Sequence, residues 1–172
     1  MKEFTATMDK TVKKNTLFSL LMFVLIFIYF LYISMQSGNY LATILFLILA
    51  FLSYLLPLLF RPQKYIITDN ELEIKRTVGS VKIRLEDIKK VERIDETALR
   101  GIKRVFGSGG IFGYFGIFKN KELGTMRLYT TRKDERVYIL TAEGKNIIIS
   151  PDNSEEFVQA LKNLTEKNKI GQ

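Results

Sequence analysis

The stretch RVFGSGGIFGYFGIFKN, residues 104–120, interleaves large aromatic side chains with glycines. Glycine in a strand permits bulges, sharp bends and the close approach of another backbone. The composition therefore predicts a bent β-ribbon whose rings fill a core or a neighbouring surface. The glycines that we expect to shape this ribbon are Gly107, Gly109, Gly110, Gly113 and Gly116.

Short strands are predicted on both sides of this ribbon, divided by polar turns. They are KYIIT (64–68), ELEIKR (71–76), SVKIRL (80–85) and the later part of EDIKKVERID (86–95) before it, and MRLYTT (126–131), RVYILT (136–141) and KNIIIS (145–150) after it. Apolar and polar residues alternate in several of them, so one face of each strand is expected to be buried and the other exposed to solvent. Such closely spaced strands indicate an antiparallel meander that bends into a sandwich or barrel.

The chain is predicted to end in a helix, because the pattern changes after Pro151. Phe157, Val158 and Leu161 lie at helical spacing, and Asp152 followed by Glu155 resembles a capping box. An amphipathic helix here can cover one open end of the β structure.

Two long apolar runs precede the strands, at residues 17–35 and 40–60, with QSGN between them and no charged residue in either. Each is about the length that crosses a hydrocarbon core of ~30 Å. A cleaved signal peptide would be shorter and would end at a small-residue site, and a buried core hairpin would carry polar residues on its outer face. The runs therefore predict a transmembrane hairpin.

Basic residues flank this hairpin at both of its ends, whereas its turn is uncharged. Lys10, Lys13 and Lys14 precede the first run, and Arg61 and Lys64 follow the second. The positive-inside rule then places both termini and the β domain in the cytoplasm of a multi-pass membrane protein. The predicted divisions are a cytoplasmic leader (1–16), the hairpin (17–60), a short linker (61–64), the β domain (65–168) and a tail (169–172).

The stretch FGSGGIFGYFGIFKNKELGTMRLYTT (106–131), followed by RVYILTAEGKNIIISPDNSEEFVQAL (136–161), resembles the bacterial PH-like (pleckstrin-homology-like) domain family, whose members often follow a membrane hairpin. The resemblance covers roughly residues 65–164. It implies a mainly β fold, a PH-like bent antiparallel sheet or barrel with a C-terminal helix, here preceded by the α-helical transmembrane hairpin. It also implies a scaffold for binding lipid or protein, without a common activity.

Three interpretations of residues 104–120 remain open. A phosphate-binding loop is disfavoured, because Phe112 stands where a dinucleotide fingerprint needs its third glycine. The ribbon can be purely structural, or it can contact the bilayer or a partner, since aromatic rings and cations suit a membrane interface. The predicted contact residues are Arg100, Lys103, Arg104, Phe112, Tyr114, Phe115, Phe118, Lys119 and Lys121.

The composition argues against an enzyme and against a cofactor or metal site. The chain has no histidine and no cysteine, which excludes Ser–His and Cys–His catalysis and His- or thiolate-held metals. The net charge of +8 is well mixed outside the hairpin, so a nucleic-acid partner is not expected. Asp69 and Glu71 occupy the first hairpin turn, where phosphoinositide-binding PH domains generally carry basic residues, so no strong inositol-phosphate site is expected there.

The sequence thus predicts a membrane-anchored, non-enzymatic PH-like interaction module. Its expected partners are a protein, or a second copy of the chain, and the head groups of anionic lipids. The alternative is a structural subunit of a membrane assembly, held by helix packing and self-association of the PH-like domain. Neither apolar run contains a Gly-x-x-x-Gly motif that would signal helix pairing.

Overall fold

The computed structural model describes residues 1–170. A first strand, β1 (Lys2–Thr5), is followed by helices α1 (Lys10–Ser37) and α2 (Leu41–Phe60), and the chain ends in helix α3 (Ser154–Ile170). Between α2 and α3 lie β2 (Pro62–Ile67), β3 (Glu71–Arg76), β4 (Ser80–Arg84), β5 (Ile88–Arg93), β6 (Lys103–Gly109), β7 (Tyr114–Asn120), β8 (Gly124–Thr130), β9 (Val137–Thr141) and β10 (Asn146–Ile149). Short 3-10 turns precede β5 and β6, at Leu85–Asp87 and Glu96–Leu99.

The strands form two sheets. One has the order β1-β2-β3-β4 and the other β5-β9-β10-β8-β7-β6. All the pairings are antiparallel except that of β10 with β8, which is parallel. The predicted antiparallel meander therefore needs one correction: β9 and β10 form a hairpin that inserts beside β8 so that β10 runs in the same direction.

Two apolar clusters hold these layers together. The larger lies between the two sheets and α3, and Phe157, Val158 and Leu161 of α3 pack into it as their helical spacing predicted. The smaller lies on the other face of the six-stranded sheet and contains Leu99, Phe118 and Leu128. The predicted fold, mainly β with a C-terminal helix behind two apolar helices, is confirmed.

Tyr65 joins the two sheets at the centre of the larger cluster. Its hydroxyl donates to the carbonyl of Tyr129 at 2.6 Å and accepts from the amide of Ser150 at 3.1 Å. Burial raises the pKa of this hydroxyl above its ordinary range. It therefore stays a neutral donor, and its two bonds fix β2 of the small sheet against β8 and the end of β10.

Helices α1 and α2 form an antiparallel hairpin, and both are long and apolar enough to cross a membrane. Ser34 and Thr43 share a buried hydrogen bond of 2.7 Å near the turn, and Ser19 and Tyr54 share one of 2.6 Å at the other end. The left-handed Gly38 ends α1 at the turn. The hairpin is therefore closed by polar contacts at both ends, while most of its large apolar side chains remain exposed.

The structure moves three of the predicted boundaries. α1 begins at Lys10, seven residues before the apolar run, because Asp9 caps it by accepting from the Val12 amide at 2.6 Å. β2 begins at Pro62, so most of the predicted linker 61–64 is already strand. α3 reaches Ile170, inside the predicted tail 169–172, whose last two residues lie outside the described part of the chain.

Candidate interaction surface

The glycine–aromatic stretch forms the hairpin β6–β7 at one border of the six-stranded sheet. β7 pairs with β8 on one side and with β6 on the other, and β6 is the last strand of the sheet. A bulge between Arg104 and Phe106 breaks the register of β6. The outer edge of β6 therefore has no strand beside it within residues 1–170.

The tip of this hairpin rests on the two apolar helices. The Phe112 amide donates to Thr16 Oγ1 of α1 at 3.0 Å, and the Phe112 ring meets the Tyr54 ring of α2 edge to face at 6.2 Å. Phe112 has a positive φ of 57°, which is unusual for a residue with a side chain. Phe112, predicted as a contact residue, thus contacts the chain's own helices.

The other aromatic residues of the stretch divide between core and surface. Phe115 and Phe118, both predicted as contact residues, are buried at 6% and 4% exposure and so pack inside the domain. Tyr114 is half-buried beside the cations Lys133 and Arg136. Phe106, which was not predicted as a contact residue, is 75% exposed.

The five predicted cations, Arg100, Lys103, Arg104, Lys119 and Lys121, are all exposed. Lys103 pairs in register with Lys119 at the end of the hairpin opposite its tip. Gly109 lies six positions after Lys103 in the chain, which at a rise of ~3.3 Å per residue is about 20 Å. Lys103 and Lys119 therefore lie at the end of the ribbon opposite its tip, whereas the Arg104 side chain reaches back along β6 to the Gly107 carbonyl, and the predicted surface is not a single patch.

The predicted glycines allow this ribbon to form. Gly107 and Gly116 face each other across the hairpin with positive φ angles of 112° and 118°, and a Cβ on either would meet backbone at 2.1 Å or 2.3 Å. A Cβ on Gly113 would lie 2.6 Å from the Thr130 carbonyl. Gly110 also has a positive φ, whereas Gly109 has an ordinary backbone. Four of the five glycines therefore adopt a positive φ, which residues with a side chain rarely do.

The N-terminal segment makes contacts that were not predicted from the sequence. The Asp152 carboxylate accepts hydrogen bonds from Thr5 Oγ1, from both the amide and the hydroxyl of Thr7, and from Arg132. The Asp9 carboxylate accepts from the Lys133 amide at 2.9 Å. The segment between β1 and α1 is thereby fixed to the loop between β8 and β9 and to the start of α3.

Asp152 is therefore not the cap that its spacing suggested. Asn153 is the N-cap of α3, because its side-chain oxygen accepts from the Glu156 amide at 3.2 Å. Its side-chain nitrogen also donates to the Glu156 carboxylate. The N-cap of α3 is therefore one residue later than predicted, and Glu156 contacts the side chain of Asn153 and not its backbone amide. An alternation of Phe4 and Ala6 with polar neighbours was the available signal for the N-terminal strand, but it is only a few residues long.

Replacing Asp152 with asparagine is expected to destabilise the chain by about 2 kcal/mol near neutral pH, since hydrogen bonds to a charged group contribute ~1.5–3 kcal/mol. Partial burial disfavours the charged carboxylate, but hydrogen bonds from Thr5, Thr7 and Arg132 outweigh it and lower its pKa. Because the folded pKa is lowered, this stabilisation is present above the ordinary carboxyl pKa of ~4 and is lost as the pH falls below it.

The measurement is the free energy of unfolding of the full chain in nanodiscs between pH 7 and pH 3. The difference between wild type and Asp152→Asn should shrink on acidification below about pH 4. Asp134→Asn is the matched control, because the Asp134 side chain is 60% exposed and its pair with Arg132 should contribute under ~1 kcal/mol. A difference that does not change with pH would contradict the charge-based explanation.

The fold and this surface define a class of protein: a PH-like domain attached to a pair of helices that can cross a membrane. A family model described as Bacterial PH domain matches residues 63–165, more than half of the chain. The chain belongs to the bacterial PH domain family. No curated protein and no solved structure matched it. The matched region begins inside β2, so β1, α1 and α2 lie outside it.

Proposed function

We propose that this chain is a membrane-anchored, non-enzymatic interaction module, with its PH-like domain and both termini in the cytoplasm. The domain presents the free edge of β6 to a protein partner, and its cations favour anionic groups on that partner or on the membrane surface. The observation that carries the proposal is an edge strand with Val105 62% exposed and Phe106 75% exposed.

An exposed edge strand is suited to recognising an extended segment. Its unpaired backbone groups can form the hydrogen bonds of an added strand, and the side chains beside the edge then select the sequence. Lys103 and Lys119 at one end of the ribbon would favour acidic residues in that segment. A second copy of the chain is one partner that could supply such a strand.

The position of the cations supports a protein partner more than a lipid surface at that end of the ribbon. The tip is held at the helices by Phe112, but Lys103 and Lys119 lie about 20 Å along the strands from it. This distance exceeds two Debye lengths of ~8 Å. The contact at the tip therefore does not bring these lysines against anionic head groups.

The test is site-specific photo-crosslinking of the full chain in native membranes. A photoreactive residue at Val105 should give a discrete protein adduct, whereas one at the exposed control position Glu143, in the turn between β9 and β10, should not. Replacing Lys103 and Lys119 together with glutamate should reduce the Val105 adduct by about tenfold, because like charges across an interface are repulsive.

The identity of the crosslinked adducts also distinguishes a protein partner from self-association and from the membrane surface. An adduct of two copies would favour the structural-subunit interpretation, and adducts with anionic lipid alone would favour the membrane surface. Equal yields of protein adduct from positions 105 and 143 would contradict the proposal that the β6 edge is a binding surface.

A further inference from the structure

A groove of about 890 Å³ separates α2 from the β6–β7 hairpin. One wall is apolar helix, including Leu52, Leu56 and Phe60, and the opposite wall includes Phe106, Gly107 and Phe115 of the hairpin. The volume is within the range of ~300–1,000 Å³ found for small-molecule sites. The groove therefore has room for a ligand, and its walls call for one that is largely apolar.

The helix wall lies within the apolar span of α2. Its lining residues extend from Leu52 to Phe60, which at 1.5 Å per residue covers about 12 Å along the helix axis. With α2 crossing a bilayer, this wall begins among lipid tails and ends where the helix meets the PH-like domain. A hydrocarbon chain can enter such a groove sideways from the bilayer without passing through water.

The domain contributes two cations to the same groove, Arg76 and Arg104. The Arg76 guanidinium lies over the Phe60 ring, 5.4 Å from its centre, and the Arg76 Nε is buried without a hydrogen-bond partner. Arg104 bends toward the hairpin and donates to the Gly107 carbonyl at 3.3 Å. No aspartate or glutamate lines the groove, and neither arginine forms an ion pair within residues 1–170.

We propose that this groove binds one anionic phospholipid. Its acyl chain lies along Leu52–Phe60 of α2, and its phosphate is held by Arg76 and Arg104. Arginine is the side chain best suited to phosphate, because its planar guanidinium can donate two parallel hydrogen bonds. The buried, unpartnered Nε of Arg76 gains an acceptor in this arrangement, which offsets the cost of burying a donor without a hydrogen bond.

The bound lipid would connect α2 to the domain at a place where they are otherwise separated by the groove. The loop after β3 already contacts the end of α2, since Thr77 Oγ1 donates to the Leu58 carbonyl and the Val78 amide donates to the Leu59 carbonyl, both at 3.0 Å. A phosphate on Arg76, the last residue of β3, adds to this connection. This inference rests on the membrane placement in the proposed function and is independent of any partner at β6.

The experiment is native mass spectrometry of the full chain released from nanodiscs that contain equal amounts of phosphatidylglycerol and phosphatidylcholine. We expect one phosphatidylglycerol to be retained per chain. The double variant Arg76→Gln with Arg104→Gln should retain it about tenfold less well, since two cations near the phosphate are lost. Arg127→Gln, at an exposed arginine that does not line the groove, is the matched control and should behave as wild type.

A third variant tests the apolar part of the site. Leu56→Trp places a larger side chain in the groove from the lipid-exposed α2 and should also reduce retention, while the unfolding midpoint of the domain stays near that of wild type. Equal retention of the two lipids, or retention unaffected by the arginine replacements, would overturn the proposal, as would full displacement of the lipid by inorganic phosphate. These outcomes leave the Val105 adduct unaffected, so the two proposals fail separately.

Discussion

Replacing Gly116 with alanine is expected to lower the free energy of unfolding of the PH-like domain by about 4 kcal/mol. Two costs add: a strained backbone costs ~1–3 kcal/mol, and forcing an atom into filled space costs a further ~1–3 kcal/mol. Gly116 has a φ of +118°, and a Cβ there would lie 2.3 Å from the Phe106 carbonyl oxygen and 2.9 Å from the Gly107 Cα. These neighbours are backbone, so a rotamer change cannot relieve the overlap.

The reciprocal replacement, Gly107→Ala, should cost as much. Gly107 is the register partner of Gly116, and its Cβ would lie 2.1 Å from the Phe115 carbonyl oxygen. The backbones of β6 and β7 approach each other closely at this pair. The methyl group of an alanine at either position would therefore push the two strands apart. Because Phe112 joins the hairpin tip to the helices, the damage should extend to that contact as well.

Gly109→Ala is the matched control within the same strand. Its backbone is ordinary, and the nearest atom to its Cβ, at 3.2 Å, belongs to the flexible Arg104 guanidinium. We expect a change within ~0.5 kcal/mol, as for most surface substitutions. Urea unfolding of the full chain in nanodiscs gives the free energies, and amide exchange of β7 peptides locates the change. If Gly116→Ala and Gly109→Ala lowered the free energy of unfolding equally, the close backbone approach at Gly116 would be contradicted.

The sequence predicted the elements whose signal is local. The two apolar runs became α1 and α2 to within a few residues at their shared turn, and the alternating runs became β2 to β5 and β8 to β10. Each of these patterns repeats within a single element, so neighbouring residues alone carry the information. The helical spacing of Phe157 and Leu161 predicted the buried face of α3 in the same way.

The candidate surface was harder to predict because non-local geometry sets it. A bulge between Arg104 and Phe106 interrupts the alternation of β6, and Val105 and Phe106 are both exposed. A one-residue change of register exchanges the two faces of a strand, and residue types alone do not reveal it. Arg76 joins Arg104 at the groove although 27 residues separate them, because two sheets and a helix meet there.

The parallel pairing of β8 with β10 was missed for a related reason. The intervening strand β9 forms a hairpin with β10, as the predicted meander implied, but the choice of β8 as the second neighbour of β10 is made by the packing of the whole sheet. The pairing of β1 was the hardest to predict from local sequence. This strand is only four residues long, and its partner β2 lies beyond both helices.

Phe4→Ala is expected to lower the free energy of unfolding by about 3 kcal/mol, at the lower end of the ~3–5 kcal/mol observed for Phe→Ala in cores. Phe4 is 7% exposed, and its ring meets the Phe157 ring of α3 edge to face at 5.1 Å. In register it faces Tyr65, the residue that joins the two sheets. Removing the ring leaves a cavity between β1, β2 and α3.

The N-terminal strand is therefore part of the PH-like domain, even though two membrane-length helices separate it from the rest of the domain in sequence. Amide exchange of β2 in the full chain should become faster in Phe4→Ala, because β1 covers the edge of β2. Glu3→Ala is the matched control: it lies on the same strand, its side chain is 43% exposed, and its ion pair with Lys64 should contribute under ~1 kcal/mol.

If Phe4→Ala were as stable as Glu3→Ala, β1 would be a dispensable addition, and a fragment beginning at Arg61 would fold without it. We expect instead that such a fragment loses stability comparable to the Phe4 cavity, because it lacks both this ring and the Thr5 and Thr7 bonds to Asp152.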